Sequence, residues 1–311
     1  MAIGSKNKEV WGILALLVAA VIWGFSFSAQ KMGMEHVGPC AFNTLRSFIG
    51  SLALMPCIAL LDMLGGQRPS IWGTARSGVE RRALLAGGTV CGACLGLASI
   101  LQQVGLQYTT PAKAGFLTAL YIIIVPLLGM AFLGHRIHWG IWGAVALALL
   151  GMALLCGISW HSGFAVGDLW ELGCAVAFAL QILAIAHFVH RVDCVRLSCL
   201  QFLVAGVISL PVALLAGEHF SLSAAIAAFW PLMVCGVLSS GIAYTFQIVG
   251  EKYVAPVIAT LLMSLESVFS AVGGWLFLGQ GLTLREFIGC AAILTAVLLA
   301  QLLPTLPAKT R

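Results

Sequence analysis

Apolar residues run along this chain in long blocks, broken by short stretches where glycine, proline and charge collect. A helix needs about 20 apolar residues to cross the hydrocarbon of a bilayer. Blocks of that length fall at 10–30, 40–61, 83–105, 113–134, 139–158, 167–187, 197–217, 226–247, 255–279 and 286–303. The pattern predicts an all-α polytopic membrane protein with ten transmembrane helices. The first block follows Lys6 and Lys8, as a secretory leader would. It is long for a leader and carries Trp and Phe where a small-residue cleavage site belongs, so it reads as an uncleaved span.

Composition bears on the solvent. Of 311 residues, 61% are hydrophobic and 9% charged, with a mean hydropathy of +1.04. Soluble domains carry about 25% charged residues, so a chain this poor in charge cannot cover a water-facing surface. That excludes the pair of soluble domains its length would otherwise allow. The net charge of +5 reads as membrane orientation, not as a nucleic-acid footprint. With the N-terminus cytoplasmic, inside segments hold Lys6, Lys8, Arg68, Arg76, Arg81, Arg82, Arg136, Arg191, Arg196, Lys252, Lys309 and Arg311. Outside segments hold Lys31, Lys113 and Arg285, and Arg46 lies within a span. By the positive-inside rule both termini are cytoplasmic, with 1–9 and 304–311 as tails.

The ten cysteines mostly fall inside apolar runs, where Cys serves as a small packing residue. The CGAC at 91–94 lacks the electropositive, partly exposed setting that thiol chemistry needs. No cofactor or metal is expected.

The chain also repeats itself. An offset of 145 places Gly96 on Gly241, Gln102 on Gln247, Gly105 on Gly250, Tyr108 on Tyr253, Pro111 on Pro256 and Gly134 on Gly279. An offset of 155 places Ala20 on Ala175, Trp23 on Phe178, Leu45 on Leu200 and Pro56 on Pro211. The halves are 10–158 and 167–303. Each holds five spans, an odd number, so the second half must enter the membrane inverted. Inverted repeats are a carrier architecture, with the site near the midplane between the halves.

These residues resemble the drug/metabolite transporter superfamily, in its ten-helix EamA-type branch. The resemblance is carried by AAVIWGFSF (19–27), LRSFIGSLAL (45–54), GLQYTTPAKAGFLTALYIIIVPLLGMAFLG (105–134), GDLWELGCAVAFALQI (167–182) and LESVFSAVGGWLFLGQGLTLREFIGCAAIL (265–294). It implies paired five-helix units in a bacterial inner membrane, exporting or exchanging small metabolites such as amino acids. The chain departs from that pattern at Glu266-Ser267, where the family often has Glu-Pro. It departs again at His135 and Gln280, where an acidic residue is frequent.

Polar side chains inside spans are expensive and are default site candidates. Glu266 stands in the middle of the ninth block, a proton-linked switch or a ligand for a substrate ammonium. Its repeat mate is Tyr121, which shares a helical face with Thr118. Ser99 and Gln102 on the third span, and Tyr244 and Gln247 on the eighth, either bind substrate or bond helix to helix. Trp23, Ser26 and Phe27, with Phe178 and Gln181, form a candidate aromatic-lined wall. Arg46 either snorkels to the interface or serves as charge partner to Glu266 or a substrate carboxylate. Trp170 and Glu171 read as interface residues at a helix mouth.

Other clusters carry less. His135/His138 and His187/His190 lack acidic or Cys partners for a metal, and SWHSG at 158–162 lacks an orienting acid for a hydrolase. Gly88, Gly92 and Gly96 form a small-residue stripe for helix packing. The sequence therefore reads as a secondary carrier for a small, zwitterionic or aromatic metabolite, working by alternating access. An intramembrane enzyme and a passive channel are the alternatives. Its partners are a small-molecule substrate and the lipid bilayer, and a homodimer is left open.

Overall fold

In lipid every backbone group must be bonded within its own segment, which restricts spanning structure to helices and closed barrels. The computed structural model describes residues 2–66, 68–73, 77–108, 111–134, 137–157, 166–278 and 283–302, and among them there are helices and no strand. His135 with Arg136, the stretch 158–162, Gln280, Arg76, Lys309, Arg311 and the tail 304–311 lie outside the described residues.

The chain runs through α1 (Ala2–Met34), α2 (Pro39–Leu64), α3 (Gly78–Tyr108), α4 (Pro111–Thr118), α5 (Tyr121–Leu133), α6 (Trp139–Leu155) and α7 (Val166–Phe188). It continues through α8 (Cys194–Leu215), α9 (Leu222–Ala227), α10 (Phe229–Met233), a π-helical segment (Val234–Ala243) and α11 (Tyr244–Glu251). The last elements are α12 (Pro256–Met263), α13 (Leu265–Leu278) and α14 (Leu284–Leu302). Among the described residues, eight helical stretches are long and apolar enough to cross a membrane, and Trp139–Leu155 and Pro256–Val272 are shorter apolar helices.

Helix ends follow local chemistry. Pro39 opens α2, where its missing N–H costs nothing. The Glu218 carboxylate accepts from the Cys40 and Ala41 N–H groups at 3.2 and 2.7 Å. Asp193 caps α8, accepting from Arg196 N at 2.9 Å. At that same end the Arg196 guanidinium meets Asp62 at 2.6 Å and donates to the Ser70 carbonyl at 3.0 Å. The α2–α8 pair is thus tied at both ends, by Glu218 at one and Asp62 at the other.

Two blocks that read as single spans are each two half-helices. The first breaks at Ala119–Leu120, where Leu120 N–H reaches back only three residues, to Leu117 O at 3.2 Å. The second breaks at Ser264, whose hydroxyl donates to Leu261 O at 2.6 Å. The π-helical segment is a third departure. Tyr244 N–H donates to Ser239 O, five residues back, and the Thr245 hydroxyl lies 2.6 Å from the Gly241 carbonyl and 2.8 Å from Ser198 Oγ.

Small residues let these helices approach. The glycine stripe on α3 lies against Leu200, Gln201 and Ala205 of α8. A Cβ at Gly12 would lie 3.0 Å from Tyr253 Cβ and 3.2 Å from Gly250 O. One at Gly167 would lie 2.9 Å from Tyr108 Cβ and 3.0 Å from Gly105 O. These are the same contact made twice, between residues related by the two sequence offsets.

Polarity runs inside out relative to a soluble domain. Leu52, Leu61, Leu150, Val207, Leu214 and Leu298 are exposed, whereas Asn43, Asp168, Glu171, Gln181, Gln201 and Thr260 are buried. Such an apolar exterior is stable only against lipid.

Candidate functional site

Helices α1, α2, α3 and α7 and the broken spans surround a small cavity of about 50 Å³, lined mostly by apolar and aromatic side chains with a few polar groups, the make-up of small-molecule sites. Trp23 and Phe27 enter from α1, Phe178 and Ile182 from α7, and Tyr121 and Tyr244 from the starts of α5 and α11. The Trp23 and Tyr244 rings meet edge to face with centroids 4.7 Å apart, and Phe202 backs Tyr244 at 5.1 Å. That packing fixes two large rings without spending their polar atoms.

Polar groups interrupt this wall. Gln30, Gln102, Thr118, Ser239 and Gln247 line it, together with Arg46 and Glu266. Gln103 donates its amide to Gln30 Oε1, which leaves the Gln30 N–H groups to offer to the cavity. Arg46 is 5% exposed, buried instead of snorkelling to an interface. Its Nε donates to Asn43 Oδ1 at 2.9 Å, and Asn43 Nδ2 in turn donates to Ser209 Oγ at 2.8 Å. Two bonds in series thus hold the guanidinium from behind.

Glu266 stands in the first turn of α13, the helix end whose dipole favours negative charge. It is 8% exposed. Its approach is set by α1: a Cβ at Gly24 would come within 2.8 Å of Glu266 O and 2.9 Å of Phe269 Cβ. Among the described residues no hydrogen bond or ion pair engages the Glu266 carboxyl, and none joins it to Arg46. One cavity therefore holds a fixed cation and a fixed anion that leave each other free.

The structure brings together Trp23, Arg46, Gln102, Tyr121, Tyr244, Gln247 and Glu266 of the sequence candidates. Ser26, Ser99 and Gln181 are not among the lining residues. Ser26 donates to its own helix at Ile22 O, 2.7 Å away, the usual fate of a hydroxyl inside a helix. Ser99 is buried away from the cavity wall. Gln181 lies behind the wall, accepting from Gln247 Nε2 and donating to Gln201 Oε1, both at 3.3 Å.

Two buried carboxyls escape the sequence reading. Glu171 is not an interface residue; it is fully buried and accepts from Thr118 Oγ1 at 2.8 Å. Glu251 sits beside Lys252 at an expected inner boundary, yet it is 3% exposed and accepts from Gln247 Nε2 at 2.8 Å. Each is bonded to a side chain that lines the cavity. Gln30 is also absent from the sequence candidates; its position near the end of its apolar block gave no signal.

A multi-pass helical membrane protein with an aromatic-lined cavity that holds an unpaired cation and an unpaired anion has the build of a transporter, and its family places it among transporters, not enzymes. The chain is a member of the EamA-like transporter family, whose model matches residues 10–157 and 165–302. It is 27% identical over 299 residues to an uncharacterized transporter of Archaeoglobus fulgidus, covering 95% of this chain and 87% of that one. It is 21% identical over 285 residues to the uncharacterized transporter YoaV of Bacillus subtilis, covering 90% and 93%. A solved crystal structure of a protein 20% identical shares the fold, with a TM-score of 0.74 over 94% of this chain and 96% of that one.

Proposed function

We propose that this transporter is a secondary carrier that exports or exchanges a small zwitterionic metabolite, an amino acid or close relative with an aromatic or apolar side chain. In this reading ten spans form two inverted five-helix halves, and the protein sits in a bacterial inner membrane with both termini cytoplasmic. The observation that carries it is the cavity with Arg46 and Glu266 unpaired in one aromatic-lined space. A buried charge is costly until it meets its opposite. A zwitterion supplies both opposites at once, its carboxylate to Arg46 and the Gln30 amide, its ammonium to Glu266. The aromatic rings and Ile182 and Met263 then receive the side chain.

The inverted arrangement draws support from the lining itself. Trp23 with Phe178, Phe27 with Ile182, Gln102 with Gln247, Thr118 with Met263 and Tyr121 with Glu266 are all pairs of repeat mates. A cavity built from such pairs straddles an axis relating the halves, where rocking of one half on the other opens it to either side. Counterflow in proteoliposomes tests the function, with a panel of radiolabelled neutral, acidic and basic amino acids. Saturable exchange of neutral zwitterions, stimulated by internal substrate, is the expected result. Linear flux without trans-stimulation would mean a channel, and preference for a singly charged compound would defeat the zwitterion reading.

A further inference from the structure

Glu251 is a buried carboxyl that neither lines the cavity nor caps a helix start. It closes α11 and is 3% exposed, with Oε1 accepting from Gln247 Nε2 one turn back. Its Oε2 is sealed from solvent and has no partner among the described residues. The same holds for Oε1 of Gln247, itself 2% exposed. The amide of Gln247 is shared with Gln181, whose own amide reaches Gln201. The cluster therefore has two orphaned acceptor oxygens on neighbouring side chains, and one orphaned donor, Gln201 Nε2, that bonds to neither. Leaving a buried acceptor unmet costs about 1–3 kcal/mol, so the Glu251 end of the cluster lacks a donor within reach, and α11 ends where its dipole favours positive charge.

The surroundings supply no cation. From α3 the Cys91 thiol, and from α5 the uncharged Tyr121 phenol, act on Glu251 electrostatically, Cys91 within the same packed cluster as Ile248. From α7 and α8 come the uncharged Gln181 and Gln201. Helix α1 meets this end of α11 through Gly12 and Leu16, and α12 carries no titratable side chain. Lys252 follows Glu251 in the chain, but among the described residues no ion pair joins Glu251 to any base. A hydrated metal ion needs more oxygen ligands than this site offers.

We propose that Glu251 is a proton-binding site exchanging with the cytoplasmic side, and that Gln247 links its occupancy to the substrate cavity. As a carboxylate, Glu251 holds the Gln247 amide through Oε1. When one proton adds to a carboxylate oxygen an O–H bond forms and nothing is oxidised. The new donor satisfies a neighbouring oxygen, and Oε1 loses part of its hold on Gln247, which turns its amide toward substrate. The sidedness and the substrate link rest on the carrier reading; the proton site itself does not.

Infrared difference spectroscopy between acid and alkaline buffers, on the purified full chain without substrate, reads carboxyl protonation directly. Loss of one carboxylic C=O band in Glu251→Gln is expected, with that band shifted in Gln247→Leu. Glu251→Asp, which keeps the acid, should keep a displaced band and serves if the amide variant does not fold. A spectrum unchanged by Glu251→Gln overturns the proposal. In proteoliposomes with labelled phenylalanine as probe, Glu251→Gln should keep counterflow and lose accumulation driven by a pH gradient, roughly tenfold or more. Undiminished pH-driven accumulation, or accumulation by the wild type that follows a Na⁺ gradient instead, overturns the substrate link. Absence of wild-type counterflow for every amino acid tried would sink the carrier reading, and the infrared result then decides the proton site alone.

Discussion

In the proposed carrier, recognition turns on Arg46 and Glu266, and the two can be separated by the chemistry of the ligand. A hydrogen bond to a charged group contributes about 1.5–3 kcal/mol, and 1.4 kcal/mol is tenfold in affinity. Glu266→Gln should therefore weaken binding of a neutral amino acid about 10- to 100-fold, read by thermal stabilisation or equilibrium binding of the purified protein. The N-acetyl derivative, which has no ammonium, should not distinguish the two proteins. Arg46→Gln should give the complementary pattern, weakening the amino acid and leaving its methyl ester unaffected. If Glu266→Gln instead affects both compounds alike, the carboxyl acts on the fold. Glu266 was legible in the sequence because nothing else charged stands in its apolar block. Glu251 and Glu171 were not, because each sits at a block's end, where a carboxyl ordinarily meets water or headgroups. Only packing tells a buried end from a wet one.

At the scale of elements, close helix approach carries the site. Helix α1 crosses the first turn of α13 where Gly24 leaves room for Glu266 O. Gly24→Val overpacks that crossing, which costs about 1–3 kcal/mol, and should lower both thermal stability in detergent and substrate affinity. A variant with normal affinity would place the substrate elsewhere. The Arg196–Asp62 pair ties α8 to α2 far from the cavity, so Asp62→Asn should lower the melting temperature and leave binding unchanged. Apolar block length made the helices legible, eight of them long and apolar enough to cross a membrane among the described residues. The two half-helix breaks were not, since Ala119–Leu120 and Ser264 carry none of the glycine or proline signals that mark a break. They arise where two chain segments must turn around a shared cavity, a constraint that no local pattern records.

For the molecule as a whole, the proposed inverted arrangement makes a prediction of sidedness. On a cysteine-free background in intact cells, Ser221→Cys between α8 and α9 should react with a membrane-impermeant maleimide. Arg68→Cys, between α2 and α3, should react only after the cells are opened. Labelling of both from one side would break the ten-span count. The expected orientation rests on basic-residue asymmetry alone, a property of loops that needs no packing. The pairing of the halves was legible in part. Gly12 on Tyr253 and Gly167 on Tyr108 show that the offsets of 155 and 145 mark repeated contacts, but the sequence could not say which mates face each other across the cavity.

The π-helical segment Val234–Ala243 bears on motion. Its hydrogen bonds close over five residues where an α-helix closes over four, so it holds slack, a length of chain wound into fewer, wider turns. Rewinding even one such turn as α-helix would swivel everything that follows about the helix axis. Tyr244, Gln247 and Glu251 all follow, so one change of pitch would turn an aromatic wall, a hydrogen-bonding amide and a buried acid together, as a key turns its bits.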